Sequence, residues 1–442
     1  MNLKYFRMNV RLFLAVLAGI VMFPENSAAS NVGKRYPSEK HIIVDQVTGR
    51  MITVLTSSQF NDSKPYQTNT TWTSDGNWIV FRSARGGNGS QIFVVNELTG
   101  DIVQLTDNKD VQTGDINLSR KEMKMFYIRG QKGKQQIIEL NIGRLIADSM
   151  SDQVKEQAVY ERTVAPAPEA PFGTCLTLDA DETFLYWRGF LTRPELTVTQ
   201  PEAPATNDRN AYAAYMEKMR AFFAEKGKGT SVIMKINIKT GKTDKVMDVS
   251  FHIGHLQANP WVPGEMFFCN ETGGDAGQRI WSVKADGKDF RPIYVETPYE
   301  WVTHETVTAP DEMMFIINGN NIFLREKPSG IAVIDLRTNQ MRLLGEVYGE
   351  DPSDGKKTGG FWHCNGSPDM RWAVGDTHYG NITLIHRATG EQILLSTGHP
   401  MIPDHAHPIF SPDSKRVLIQ SALLTNGKNL NLMVLNVPYD NN

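Results

Sequence analysis

A seven-bladed β-propeller, all-β with a short helical insertion in the third blade region, is the fold this sequence predicts. Three observations carry the expectation. A turn phrase followed at once by a β-rich apolar run occurs seven times. A second phrase, strand–turn–strand, follows most copies. The two ends of the chain hold complementary fragments of one unit.

The first phrase is a small or polar turn, often closing in Pro-Asp. It stands as Thr73-Ser74-Asp75 before NWIVF, Ser119-Arg120-Lys121 before MKMFY and Asp179-Ala180-Asp181 before TFLYW. It returns as Val262-Pro263-Gly264 before MFF, Ala309-Pro310-Asp311 before MMFII, Ser367-Pro368-Asp369 before RWAV and Ser411-Pro412-Asp413 before RVLI. Between third turn residues the steps are 46, 60, 83, 47, 58 and 44. The second phrase includes IFVVNELTGDIVQLT (92–106), VIMKINIKTGKTDKV (232–246), IWSVKADGKDFRPIY (280–294), IAVIDLRTNQMRLL (331–344) and LIHRATGEQILL (384–395). Its Gly and Asn residues suit the left-handed positions of two-residue hairpin turns. Four short strands per unit at roughly 40–50 residues is the period of a propeller blade.

At the N-terminal side, HIIVDQVTGRMITVLT (41–56) is a strand–turn–strand with no turn phrase before it. The last unit has little chain after NLMVLNV (431–437). The first fragment is expected to complete the seventh blade, which removes an open sheet edge. The long step from 181 to 264 holds an insertion, about 194–229. Pro194, Pro201 and Pro204 mark a loop. Tyr212, Tyr215, Met216, Met219, Phe222 and Phe223 then recur at helical spacing up to Gly227, which predicts a helix over about 209–226 packed on the propeller rim.

Residues 1–29 stand apart. Lys4, Arg7 and Arg11 precede an apolar run from Leu12 to Phe23, and Ser27-Ala28-Ala29 offers small residues for cleavage. This is the pattern of a secretory signal peptide; the run is shorter than the roughly 20 residues a membrane-spanning helix needs. Residues 30–442 are then the propeller domain, expected to be periplasmic or secreted and without a membrane partner. Removing the leader leaves 43 basic and 48 acidic residues, a formal charge of −5. Bulk attraction to nucleic acid is not expected of such a chain. Cys175, Cys269 and Cys364 match no zinc spacing and read as buried small hydrophobes.

Ten histidines are present, and several share one place in their units. Just before the turn phrase stand His255 (GHLQANPWVPG), His304 (VTHETVTAPD), His363 (WHCNGSPD), and His405 with His407 (DHAHPIFSPD); His399 lies slightly earlier in the last unit. That segment leads into the innermost strand, where equivalent positions of successive blades converge on the central axis. His405 and His407, two apart on an incoming strand, are expected to face the same way. With His304 as third ligand and His363 as fourth, they form an imidazole site for a divalent transition metal.

The stretches that carry these histidines resemble the oligogalacturonate lyases, seven-bladed propeller lyases of short pectate oligomers. The matching segments are KINIKTGKT (235–243), MFFCNETGG (266–274), IWSVKADG (280–287), THE (303–305), GDTH (375–378) and HAHPIFSPDSKRVL (405–418). The resemblance implies Mn2+, or another divalent cation, held by His304, His405 and His407, and an acidic oligosaccharide substrate. Two positions depart from the family. Ile402 stands where the family has a ligating Gln, which leaves His363, His399, Asp404 or water as fourth ligand. Asn259 stands where the family has an Arg that serves as base, and an amide accepts no proton at usable pH.

The implied chemistry is β-elimination from a 4-linked uronate. With Asn259 reduced to a substrate contact, the base candidates are His255, His363 and Tyr379. Arg188, Arg193 and Arg279 are candidates to hold further carboxylates through paired N–H donors. Trp72, Trp187, Trp261 and Trp281 are expected in the core, while Trp362, beside His363, is placed to stack on a sugar ring. Two other readings remain open at this level: a lyase for another uronate-containing glycan, and a non-catalytic periplasmic binding propeller.

Overall fold

The computed structural model describes residues 30–167, 176–192, 198–202, 204, 209–275, 277–297, 300–317, 330–347, 349–350, 357–358 and 360–438. The expected signal peptide, Cys175 and Arg193 lie outside them.

Seven antiparallel sheets form the blades of a β-propeller, as the repeat predicts. Blade five is representative: Val302–Ala309 is innermost, followed outward by Glu312–Ile317, Gly330–Asp335 and Met341–Gly345. The N-terminal fragment completes blade seven. Met51–Val54 pairs with Asn431–Asn436, placing Ile52 opposite Leu435 and Val54 opposite Met433, and His41–Val44 adds a fifth strand outside.

Why the strands read as continuous apolar runs follows from the packing. Successive side chains point to opposite faces of a strand, and each blade is covered on both faces by a neighbour. Met313 and Phe315 pack toward blade four, with Phe267 and Ile280; Met314 and Ile316 pack toward blade six, with Phe361 and Ala373. Seven such apolar clusters occur among the described residues, one between each pair of adjacent blades, including the pair that closes the ring.

The turn phrase has a hydrogen-bond explanation. Ser367 Oγ lies 2.6 Å from Asp369 Oδ1 and accepts from Trp372 N at 2.9 Å, while Arg371 N donates to the same Asp369 oxygen at 3.0 Å. Ser411 and Asp413 repeat the arrangement in blade seven, and Thr73 with Asp75 in blade one. The second phrase differs from expectation, because four of its five quoted turns hold four residues and the one after Lys284 holds three, and none holds two. Asn96 Oδ1 accepts from Leu98 N and Thr99 N, and Gly100 follows in the left-handed region at φ 80°. Asn237 and Asp335 do the same for their loops. The leading Asn or Asp caps two amides, which makes the longer turn favourable.

Among the described residues two α-helices interrupt the blades. α1 (Ile142–Met150) starts at Asn141, whose side chain caps Arg144 N, and buries Ile142, Leu145 and Ile146. α2 (Arg209–Lys226) occupies the predicted insertion in blade three. Arg220 ties it to Asp275 at 3.0 Å and to the Glu300 carbonyl at 2.9 Å, so α2 braces the loop between the second and third strands of blade four. Among the described residues no helix is long and apolar enough to cross a membrane. Cys269 and Cys364 are buried free thiols, as expected.

Candidate functional site

The innermost strands of blades four, five and six carry His255, His304 and His363 on the strands themselves, at breaks in register. The pairing slips between Gly254 and Gln257, between Thr303 and Thr306, and between Phe361 and His363. A bulge frees one residue from the ladder and re-aims its side chain. His255 and His304 sit there at φ 45° and 55°, and His407, before the first strand of blade seven, at φ 47°. A non-Gly residue in the left-handed region costs roughly 1–3 kcal/mol, and such residues cluster at functional sites.

The bulged strands, with the irregular segment before blade seven, gather five imidazoles at one mouth of the central channel. His304 lies 4.2 Å from His363 between ring centroids, His407 3.8 Å and His405 5.2 Å from the same ring, and His255 6.4 Å from His304. His363 is therefore the centre of the group. His405 and His407 do not face alike: their segment is not a strand, and their rings stand 6.2 Å apart at 68°. Both nonetheless reach His363. Trp362 is hemmed in by His304, His378 and His405 and forms one wall of the cluster.

Carboxylates orient the rings. Asp376 accepts from His363 N at 2.7 Å and from His407 N at 3.1 Å, and one of its oxygens lies 3.1 Å from His363 Nδ1. His407 is held by Gln67 Oε1 at 2.9 Å and by Asp404 Oδ1 at 3.2 Å. Burial drives His304 and His363 well below the ordinary imidazole pKa, and lowers His405 as well. These rings are neutral and keep lone pairs. Two buried nitrogens, His304 Nδ1 and His405 Nδ1, find no hydrogen-bond partner. Ligand atoms of His363, Asp376 and His405 lie within 4.8 Å of one another. Neutral imidazoles with second-layer carboxylates are the donor set of a divalent transition-metal site, so the residues fit such an ion.

Beside this cluster lies a charged one. His255 Nδ1 is 3.2 Å from Glu305 Oε1, and Arg279 reaches Glu305 at 3.3 Å and Glu271 at 3.5 Å. Burial opposes ionisation of Glu305, but the Arg279 guanidinium and the His255 hydrogen bond outweigh it and hold the carboxyl well below its usual range. Tyr66 joins the two clusters, its ring 4.9 Å from His255 and 5.2 Å from His407. Lys64 is fully buried with its ammonium on the Pro65 carbonyl at 3.1 Å, and burial lowers its pKa to about 7.

Several expected site residues lie elsewhere or are otherwise engaged. Asn259 ends the innermost strand of blade four as a turn residue: its amide donates to Glu265 at 2.7 Å and the Pro310 carbonyl at 2.9 Å, and its Oδ1 accepts from Trp261 N and Val262 N. Ile402 is 71% exposed, and its apolar side chain offers no ligand. His399 has both nitrogens at 2.8 Å from serine hydroxyls, Ser421 and Ser396, which makes it a structural residue and no fourth ligand. Arg279 is committed to its two glutamates. Arg188 is buried, with its guanidinium 4.9 Å from the Phe190 ring. Tyr379 sits half-buried in the turn after Trp372–Thr377. Trp72 and Trp187 are core residues and Trp281 packs against Phe290, whereas Trp261 is 46% exposed. Sequence reasoning missed Lys64, Tyr66, Gln67 and Asp376. Asp376 stands in the GDTH segment and was within reach; the other three arrive on a segment with no strand phrase.

No protein-family profile matches the chain. An oligogalacturonate lyase of Dickeya dadantii (strain 3937) is 22% identical over 408 residues, covering 88% of this chain and 94% of that one. A solved oligogalacturonate lyase in complex with manganese superposes with a TM-score of 0.68 at 20% identity, covering 92% of this chain and 98% of that one. A second, from Vibrio parahaemolyticus, gives 0.69 at 19% identity over 92% and 99%.

Proposed function

Since the chain resembles the oligogalacturonate lyases along nearly its whole length, we propose that it is a metal-dependent lyase that cleaves short 4-linked uronate oligosaccharides by β-elimination. The observation that carries the reading is the convergence of His304, His363, His405 and His407, with one unpartnered nitrogen each on His304 and His405, beside a His255–Glu305 pair whose carboxylate is buried. These four imidazoles would hold Mn2+ or a similar ion. When bound, that ion supplies Lewis-acid stabilisation of the charge that develops on the substrate carboxylate.

The chain's own residues do the rest. Of the three base candidates, His363 is buried against Asp376 and Tyr379 lies on a turn, whereas the His255 side chain is 17% exposed and backed by Glu305. Glu305 fixes the ring through Nδ1, which leaves Nε2 to take the C5 proton. The C5–H electron pair becomes the C4–C5 double bond and the C4–O4 bond breaks. The expelled oxygen recovers a proton, so no water is consumed. Arg279 keeps Glu305 ionised throughout. The leader pattern supports export, and we place the enzyme in the periplasm or outside the cell.

A second reading, a lyase for another uronate-containing glycan, is favoured by Asn259, whose amide is locked in a turn where the family has its Arg. The deciding assay follows absorbance of the 4,5-unsaturated uronate with di- and trigalacturonate, after chelation and after Mn2+ reloading. A rise that needs the metal supports the proposal. A flat trace there with a signal on another uronate glycan selects the second reading, and flat traces on both refute the lyase.

A further inference from the structure

The same strands that carry the histidines continue down the channel, and their lower halves have a different chemistry. His304 is followed by Thr306 and Thr308, and His363 by Asn365. At about 3.3 Å per residue these lie roughly 7–13 Å below the imidazoles. Gln67 separates the two levels: its side chain holds His407, while its carbonyl accepts from Asn365 Nδ2 at 3.4 Å. Beneath it a cavity of about 340 Å³ leads toward the opposite mouth, inside the ~300–1,000 Å³ range of small-molecule sites.

We propose that this far end of the channel is a second site, one that binds a pyranose sugar between Trp261 and the hydroxyls of Thr306 and Thr308. Thr306 and Thr308 both line the cavity and are 3% and 4% exposed, and neither Oγ1 has a partner within the protein; Gln67 Nε2 is likewise unpartnered. Buried polar groups are nearly always satisfied, and these three orphans, just beneath the cavity surface, come into reach of a hydrogen-bonding guest by rotation of their side chains. The two threonines reach the same cavity, although the pairing slips between Val307 and Ala309.

At the mouth the exposed Trp261 stands on the turn after Pro260 and offers a flat apolar face. An aromatic platform facing a set of hydroxyls and amides suits a sugar, which has one C–H face and a rim of hydroxyl groups. The lining also excludes other guests. It contains no carboxylate, imidazole or thiol to hold a divalent cation, and one guanidinium, that of Arg120, to attract an anion. Arg120 already donates to the Asp179 carbonyl at 2.7 Å and fits a single carboxylate at the rim better than a phosphate group. The inference does not depend on the lyase reading.

The test uses the full chain carrying His304→Ala and His405→Ala, which removes the upper site. Titration with D-galacturonate, followed by calorimetry and tryptophan fluorescence, is expected to give saturable one-to-one binding. Adding Trp261→Ala, or the near-isosteric Thr308→Val, is expected to weaken it at least tenfold. No saturable binding overturns the proposal, as does binding that both substitutions leave intact or a soaked crystal with water alone in the cavity. Sugar binding here, together with an unmodified protein that shows no lyase activity in the Mn2+ assay, would sink the enzymatic proposal and leave this one standing.

Discussion

Replacing Asp376 with Asn tests whether the carboxylate orients the histidine cluster or merely fills space. Asp376 is 1% exposed and accepts from two backbone amides, those of His363 and His407, while it also faces His363 Nδ1. An amide of the same shape keeps one acceptor oxygen but turns the other position into a donor, which meets either an N–H or the imidazole. A hydrogen bond to a charged group contributes about 1.5–3 kcal/mol, and one such bond is lost outright. Urea unfolding of the metal-free protein should therefore show a loss of about 1.5–3 kcal/mol. The more telling number is metal affinity, because a second-layer partner of a ligating histidine is typically worth 10–100-fold. Calorimetric titration with Mn2+ at fixed pH should show that loss in Asp376→Asn. Affinity within twofold of the unmodified protein, with stability reduced, would refute an orienting role and leave Asp376 a purely structural residue.

Four further outcomes are expected. His304→Ala and His405→Ala should abolish metal-dependent cleavage yet change unfolding free energy by less than about 2 kcal/mol, because each removes a ring nitrogen that has no partner; collapse of the fold in circular dichroism would contradict this. Glu305→Gln should lower kcat about 10²–10⁴-fold with a small change in KM if His255 is the base; an unchanged kcat would remove the pair from the mechanism. His399 is buried and neutral in the native state, with its pKa lowered to about 4 from 6.5 by burial. The unfolded chain thus binds the extra proton first, and stability should fall as pH drops from about 6.5 to 4, by roughly 3 kcal/mol from this group. His399→Gln should flatten that part of the urea-midpoint profile, and an unaltered slope would argue otherwise. Phe315→Ala, between blades four and five, should cost about 3–5 kcal/mol; a loss under 1 kcal/mol would mean the blades do not share the packing described.

Much of the architecture was legible because the constraints are local. Ser367 and Asp369 satisfy the backbone of their own turn, so the phrase has to recur wherever that turn does. Met313 to Ile317 must be apolar at every position because both faces are covered, and that run is visible in a single sequence. The helix over 209–226 was likewise readable from its period and from Gly227. What escaped depends on contacts across the ring. Tyr66 and Gln67 meet His255 and His407 from the segment before blade one, which has no repeat to announce it. The bulges that turn His255 and His304 inward leave no residue-type signature, since neither position is a glycine. Asn259 aligned with a reactive position yet serves its own turn, because the Glu265 and Pro310 partners that hold it are invisible in spacing alone.

The most direct check is a crystal of the protein soaked in MnCl2, with the ion located by its anomalous scattering. The account predicts one strong peak at the channel mouth, within bonding distance of nitrogens from at least three of His304, His363, His405 and His407. A fully occupied peak elsewhere, or none at millimolar manganese, would contradict it.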